Sequence, residues 1–279
     1  NFLKKDKDRG IVFKIIINKI MRTDYFSAEW KKTIENIIWN IRVPRVILAF
    51  ITGASLSLVG IIMQTITKNN LAEPYILGIS SGASTGAVSV IILSNSYAFL
   101  KLITIEQGAF IGALLSIAAV FLISSKEIFN GSSLILTGVG VSAFFSACTT
   151  VIIYSSKNNS QLVTAMFWMT GSLSSASWDE LFYPSLFLLI IFVIMIIYSY
   201  ELDILLMGDS SAKALGINTI WIKLFLIIIS TLLVSVVVSL TGIIGFIGLV
   251  IPHISRKIIG YKHKSLTLFS VFAGGLFLV

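Results

Sequence analysis

The sequence predicts an all-α polytopic membrane protein, and three observations carry that reading. Hydrophobic residues make up 56% of the 279 and charged residues only 12%, whereas a soluble domain is nearer a quarter charged. Ile/Leu/Val/Phe runs recur at close to the ~20 residues that cross a bilayer, with a mean hydropathy of +0.94. Runs such as 181–198 do not alternate apolar with polar residues, so they read as helices rather than barrel strands.

The spans expected in order are about 46–67, 75–94, 105–124, 132–154, 182–200, 219–241 and 243–259. An eighth apolar run of about 14 residues begins near Leu266 and is too short to cross. The stretch 10–20 is also short, and it contains Lys14 and Lys19. With Asn at position 1, the sequence reads as truncated at both ends, with about eight spans present. The division expected is a basic external amphipathic segment over 1–45 and a transmembrane domain over 46–279, incomplete at its C-terminus. Within 24–42, Trp30, Ile34, Ile37, Ile38 and Ile41 recur at helical spacing among charges, which predicts an interfacial helix. Trp30, Trp39, Trp168 and Trp178 suit a headgroup belt.

The net charge of +8 is read as topology rather than nucleic-acid binding. With the loop 68–74 in the cytoplasm, that side receives Lys68, Lys126, Lys213, Lys223, Arg256, Lys257, Lys262 and Lys264. The opposite internal loops receive only Lys101 and Lys157. The segment up to Arg45 holds eleven further Lys/Arg on the outer side, which fits if a span precedes it. The single cysteine, Cys148, sits in an apolar run and reads as a small core residue.

Four segments stand out. In 69–86, a polar loop with Asn70, Glu73 and Pro74 leads into Gly78, Gly82 and Gly86, four residues apart, a stripe for close helix contact in lipid. In Arg42-Val-Pro-Arg45, Pro44 is expected in the first turn of a helix. The two arginines there either snorkel to headgroups or dock a partner's carboxylates. In 202–217, Asp209 or Ser210 is the expected N-cap of a short helix that Gly216 ends. That helix is either a plain connection or a segment that sits in a groove of a soluble partner. In 242–260, Gly242, Gly245 and Gly248 permit close packing, Pro252 should kink the helix, and His253 follows. The other histidine, His263, is expected on a solvated basic loop. No second His, Cys or carboxylate stands at metal spacing from His253, so no metal site is expected. The sequence also lacks a phosphate-binding G-x-x-x-x-G-K-[ST] loop, H-E-x-x-H and G-x-S-x-G. Carboxylates within the spans are nearly absent, so an ion relay has no obvious residues, and energy for transport must come from another subunit.

These segments occur in an order that resembles the FecCD-like permeases, the membrane subunits of ABC importers for iron-siderophores, haem and vitamin B12. The resemblance rests on Arg42-Val-Pro-Arg45, Gly53-Ala54-Ser55-Leu56, Gln64, Asn70-Leu71-Ala72-Glu73-Pro74, Leu77-Gly78 through Gly82-Ala83, and Trp168 with Gly171-Ser172-Leu173 and Trp178. Positions 208–216 and Gly245-Phe246-Ile247-Gly248-Leu249-Val250-Ile251-Pro252-His253 complete it.

The resemblance implies a ten-helix ABC importer permease bundle in the plasma membrane of a bacterium, working as a homodimer or beside a similar permease. Its implied partners are two cytoplasmic ATPases and an external binding protein, a lipoprotein or a periplasmic protein. ATP is then used by those partners, with no cofactor bound by this chain. Arg42 and Arg45 match positions that meet acidic residues of the binding protein. Gly208, Asp209, Ser210, Ala212, Lys213, Leu215 and Gly216 look like the short helix that contacts the ATPase. The run 132–154, with Thr137, Gly138, Gly140, Ser142, Ser146, Thr149 and Thr150, is similar to the family's pathway-lining helix. The expected function is inward transport of a ferric siderophore or related chelate. A haem or vitamin B12 permease, an ion-coupled secondary transporter and a membrane-embedded enzyme using His253 stand as alternatives.

Overall fold

The computed structural model describes residues 2–21, 25–26, 30–124 and 131–279, with side chains from residue 10 onward. Among them there is no strand. The helices are α1 (Phe2–Met21), α2 (Lys32–Thr67), α3 (Ile79–Leu93), α4 (Ile105–Ser124), α5 (Gly131–Ser155), α6 (Asn159–Met169), α7 (Asp179–Ile197), α8 (Ser199–Leu206), α9 (Asp209–Ala214), α10 (Thr219–Thr241), α11 (Ile247–Ile259) and α12 (His263–Leu278). Five of them, α2, α4, α5, α7 and α10, are long and apolar enough to cross a membrane; α3 and α12 are shorter apolar helices.

The bundle is built around α2. Its apolar window is 83% buried, against 17% for α5 and 22% for α7, so α2 is the axis and the other two lie at the periphery. Helices α5, α7, α10, α11 and α12 all touch it. Close approach depends on glycine, because lipid gives apolar side chains no reason to leave it and association rests on packing. A Cβ on Gly53 would lie 2.0 Å from the Gly274 carbonyl oxygen of α12, and one on Gly60 would lie 1.9 Å from that of Gly248 on α11. The pair α3–α4 repeats the device: Gly82 and Gly86 face Gly112 and Gly108. Hydroxyls then fix the crossings. Thr85 Oγ1 lies 2.8 Å from both the Phe145 carbonyl and Thr149 Oγ1, joining α3 to α5.

Several expectations are corrected. The amphipathic stretch is not a separate interfacial helix: from Lys32 it continues without interruption into α2, while 22–24 and 27–29 lie outside the described residues. Pro44 is therefore a dozen residues inside a helix rather than in its first turn. A proline there lacks an N–H and clashes with the carbonyl four residues back. The helix absorbs this by widening to a π-turn over Ile37–Arg42, where Val43 N–H reaches the Ile38 carbonyl. The stretch 10–20 belongs to the longer helix α1.

The expected span 182–200 bends at Tyr198, where α7 gives way to α8. The expected span 243–259 is also broken. Gly242 leaves α10 with φ +66°, the chain runs non-helically to Phe246, and α11 begins only at Ile247. Ile247 N–H bonds the Gly245 carbonyl at 2.9 Å across Phe246, whose φ is +70°. That is a strained γ-turn on a non-glycine residue.

Candidate functional site

The polar chemistry gathers at the Lys68 end of α2. The last turns of that helix place Gln64, Thr65 and Lys68 in succession, and each reaches a different part of the chain. Lys68 closes the helix in the left-handed conformation (φ 52°).

Gln64 faces α11. Its Oε1 accepts from Arg256, a guanidinium that is 6% exposed. Its amide nitrogen lies 3.3–3.4 Å from the carbonyls of Ala72, Gly248 and Leu249. Pro252 stays inside α11 and has no N–H for the Gly248 carbonyl four residues back, so Gln64 supplies the missing donor. Arg256 also reaches Asn70 Oδ1 at 3.5 Å, tying the loop 68–74 to α11. Within that loop Pro74 is buried and Glu73 half-buried. The Pro74 ring lies against Gly248, where a Cβ would sit 2.3 Å from its Cγ.

Thr65 faces α12. Its hydroxyl donates to the Ile61 carbonyl at 2.8 Å and lies 2.8 Å from His263 Nε2. His263 is fully buried, contrary to the solvated position expected for it. Its Nδ1 lies 2.6 Å from Asp203 Oδ1, and its backbone N–H donates to the same oxygen at 2.9 Å. The lysines around it suggested a wet loop, but it is the first residue of α12 and points inward.

Lys68 faces α9. Asp209 receives Lys68 Nζ at 2.9 Å and Lys223 Nζ at 2.5 Å. The Lys223 side chain is 3% exposed at the start of α10, and that of Asp209 is 36% exposed. Burial alone would raise the Asp209 carboxyl, but the two ammonium hydrogen bonds and charges hold it below the ordinary aspartate range. Asp209 is therefore engaged away from the helix end, and neither it nor Ser210 caps α9: the N-cap is Gly208, at φ 118°. The other end is as expected. Gly216 (φ 81°) ends the helix, with Ile217 N–H bonding Ala212 O and Gly216 N–H bonding Lys213 O, both at 3.0 Å. Ala212 is buried, while Ser210, Lys213, Leu215 and Gly216 are exposed. Beside this arm a cleft of about 610 Å³ is lined by Asp203, Leu206, Met207, Tyr261 and Lys262.

The remaining candidates lie elsewhere. Arg42 and Arg45 are exposed, three residues apart on one face of the N-terminal half of α2. Nearby, Trp39 stacks on Trp178 with ring centroids 4.8 Å apart, and Trp178 Nε1 donates to the Trp39 carbonyl at 2.9 Å. Gly78 is not a member of the helical stripe. It is the left-handed hinge (φ 75°) between the Pro74–Leu77 turn and α3, packed near Ser116 and Ser142. On α5, Thr137 accepts from Ser124 at 2.9 Å, and Gly138 abuts the Ile76 carbonyl, whereas Gly140 has open space beside it. Gly245 also has open space, so it makes none of the close contact expected of it. His253 is half-buried, and among the described residues no group of His, Cys, Asp and Glu could hold a metal ion. Lys126 lies outside the described residues.

Sequence reasoning missed Thr65, Asp203, His263 and the Arg256–Gln64 bond. The spacing 64, 65, 68 on one helix end was the available signal, but its side-chain partners Asp209, Arg256 and His263 stand 141 to 198 positions away and no local pattern points to them.

A glycine-packed, multi-span helical bundle, carrying a short exposed helix clamped to its central helix, is the architecture of a polytopic membrane protein. The chain belongs to the FecCD transport family, whose model matches residues 10–279. It is a permease of the ABC transporter class and a multi-pass protein of the cytoplasmic membrane, and permeases of this kind work with separate ATPases and substrate-binding proteins.

Among its relatives is the ABC transporter permease protein YvrB of Bacillus subtilis, 39% identical over 248 residues, 88% of this chain and 69% of that protein. The hemin transport system permease HmuU of Yersinia pestis is 35% identical over 259 residues, 91% and 77% of the two chains. The molybdate import system permease MolB of Haemophilus influenzae is 34% identical over 266 residues, 94% and 77%. A solved structure of an inward-facing ABC transporter assigned to the metal-chelate type superposes with a TM-score of 0.80 at 28% identity, covering 96% of this chain and 86% of the other.

Proposed function

We propose that this permease carries a ferric siderophore or a closely related metal chelate into the cytoplasm. The observation that supports it best is the near-complete overlap, at 28% identity, with a transporter of the metal-chelate type. Relatives concerned with hemin and with iron chelates point the same way. In this reading the chain positions and transmits, holds no ATP-hydrolysing site of its own, and binds no cofactor. The ATP is used by partner subunits that seat against the exposed face of α9 formed by Ser210, Lys213, Leu215 and Gly216. An external binding protein docks its carboxylates on Arg42 and Arg45.

The helix α5, with Thr137, Gly138, Gly140 and Ser142, lines the pathway. So little of its surface is covered by its own subunit that it faces a second permease, either another copy or a similar chain. The broken span supports a pathway role as well, because irregular backbone at membrane depth is tolerated only in protein or beside a water-filled cavity.

The molybdate relative favours a second reading, a permease for an oxyanion. Proteoliposomes carrying the permease with its ATPase and binding protein separate the two. ATP-dependent uptake of radiolabelled ferric siderophore, not competed by molybdate, is expected. Molybdate uptake without ferric-chelate uptake would replace the first reading with the second.

A further inference from the structure

We propose that α2 is the rod that carries the signal between the binding-protein side and the ATPase side, and that Asp203 and His263 form the joint through which α8 and α9 move it. This deepens the proposed function and rests on its placement of the binding protein at Arg42 and Arg45 and of the ATPase at α9.

Three observations carry it. First, a single continuous helix bears both inputs. Arg42 and Lys68 are separated by 26 positions of α2, roughly 39 Å at about 1.5 Å per residue. Second, the two aspartates of the α8–α9 arm both land on the same end of that helix. Asp209 binds Lys68 directly. Asp203 binds His263, which in turn meets Thr65. His263 Nε2 and the Thr65 hydroxyl face one another at 2.8 Å, with the donor set by the imidazole tautomer, while Nδ1 faces the Asp203 carboxylate at 2.6 Å. Held at two points, the arm cannot pivot without pulling on α2. Third, α2 meets α11 and α12 backbone to backbone, at Gly60–Gly248 and Gly53–Gly274. Beside those crossings Leu56 packs with Ile247 and Ile251, and Phe50 meets Phe272, so a displacement of α2 is passed on to α11 and α12.

Asp203, His263 and Thr65 are therefore positioning residues. The test uses the complete importer, permease with its ATPase and binding protein, in lipid nanodiscs, and reads ATP hydrolysis with and without binding protein. Asp203→Asn and Thr65→Val are expected to keep basal hydrolysis and binding-protein affinity but to lose stimulation by the binding protein. Asp203→Glu and Thr65→Ser are expected to regain it. Wild-type stimulation in the Asn and Val variants overturns the proposal, as does parallel loss of basal and stimulated hydrolysis, the mark of a merely structural site. Lys68→Met alters a side chain that is 43% exposed, so it leaves the fold intact; unchanged stimulation there also counts against the rod. A wild-type importer whose hydrolysis ignores the binding protein overturns it outright. Docking retained by the Arg42→Glu/Arg45→Glu variant defeats the underlying reading. Docking lost in that variant, with stimulation intact in Asp203→Asn, defeats this inference alone.

Discussion

Gln64 on α2 supplies the donor that Pro252 denies to α11: its amide nitrogen lies 3.4 Å from the Gly248 carbonyl, the one Pro252 cannot reach. The opposite end of the same amide accepts from Arg256. Replacing Gln64 with Leu takes the amide donor from a buried carbonyl and leaves the buried guanidinium only its long contact to Asn70. The expected cost is on the order of 3 kcal/mol, read as a lower unfolding temperature in detergent. Pro252→Ala restores the backbone N–H, so Gln64→Leu should cost about 1 kcal/mol less in that background. Equal costs in the two backgrounds would show that Gln64 does not serve this carbonyl.

The long apolar spans near 105–124, 132–154 and 219–241 were legible because hydropathy dictates them, and so was the end of α9 at Gly216, because a left-handed cap is a local demand on one residue. What was hidden is what depends on distant partners. The glycines at 242, 245 and 248 look alike in sequence, yet Gly242 and Gly248 are pressed against Trp168 and Pro74 while Gly245 faces open space. Pro44 looked like a helix start because nothing local announces that the helix began at Lys32 and widens to accommodate it. His263 sits between Lys262 and Lys264 and so looked solvated. Its burial is set by Asp203 and Thr65, far away in the chain.

Gly82 tests the nature of the glycine stripe. A Cβ there would stand 2.4 Å from the Gly112 carbonyl within the same subunit. Gly82→Leu should therefore destabilise the isolated subunit by about 3 kcal/mol or more, beyond ordinary overpacking, because backbone rather than a side chain must yield. The check is unfolding of the monomer in detergent. Normal monomer stability with weakened pairing would instead place the stripe at a seam between subunits.

Asp209 sets a pH dependence. Its folded-state carboxyl is depressed below the ordinary aspartate range by Lys223 and Lys68, against the opposing effect of burial. The clamp therefore contributes in full above that range and is lost as pH falls through the depressed value. Thermal stability of the wild type should fall on the acid side more steeply than that of Asp209→Asn, and the two curves should converge at the lowest pH. Parallel curves across the acid range would remove Asp209 from the clamp. At neutral pH, Asp209→Asn should also loosen α9 and lower the ATP-driven transport rate without abolishing membrane insertion.

Arg42 and Arg45 present two always-charged forks on one exposed face of α2, suited to bidentate contact with carboxylates. If they dock a binding protein, reversing both charges turns attraction into repulsion at two contacts. Binding-protein affinity should then drop about 100-fold or more, roughly 3 kcal/mol, measured by titration on the nanodisc-embedded importer. The wild-type affinity should itself weaken with added salt, since both side chains lie in solvent. ATPase assembly should be unchanged, because α9 lies at the other end of the helix. Retained docking after the double reversal, with no salt dependence in the wild type, would return the pair to ordinary headgroup contact.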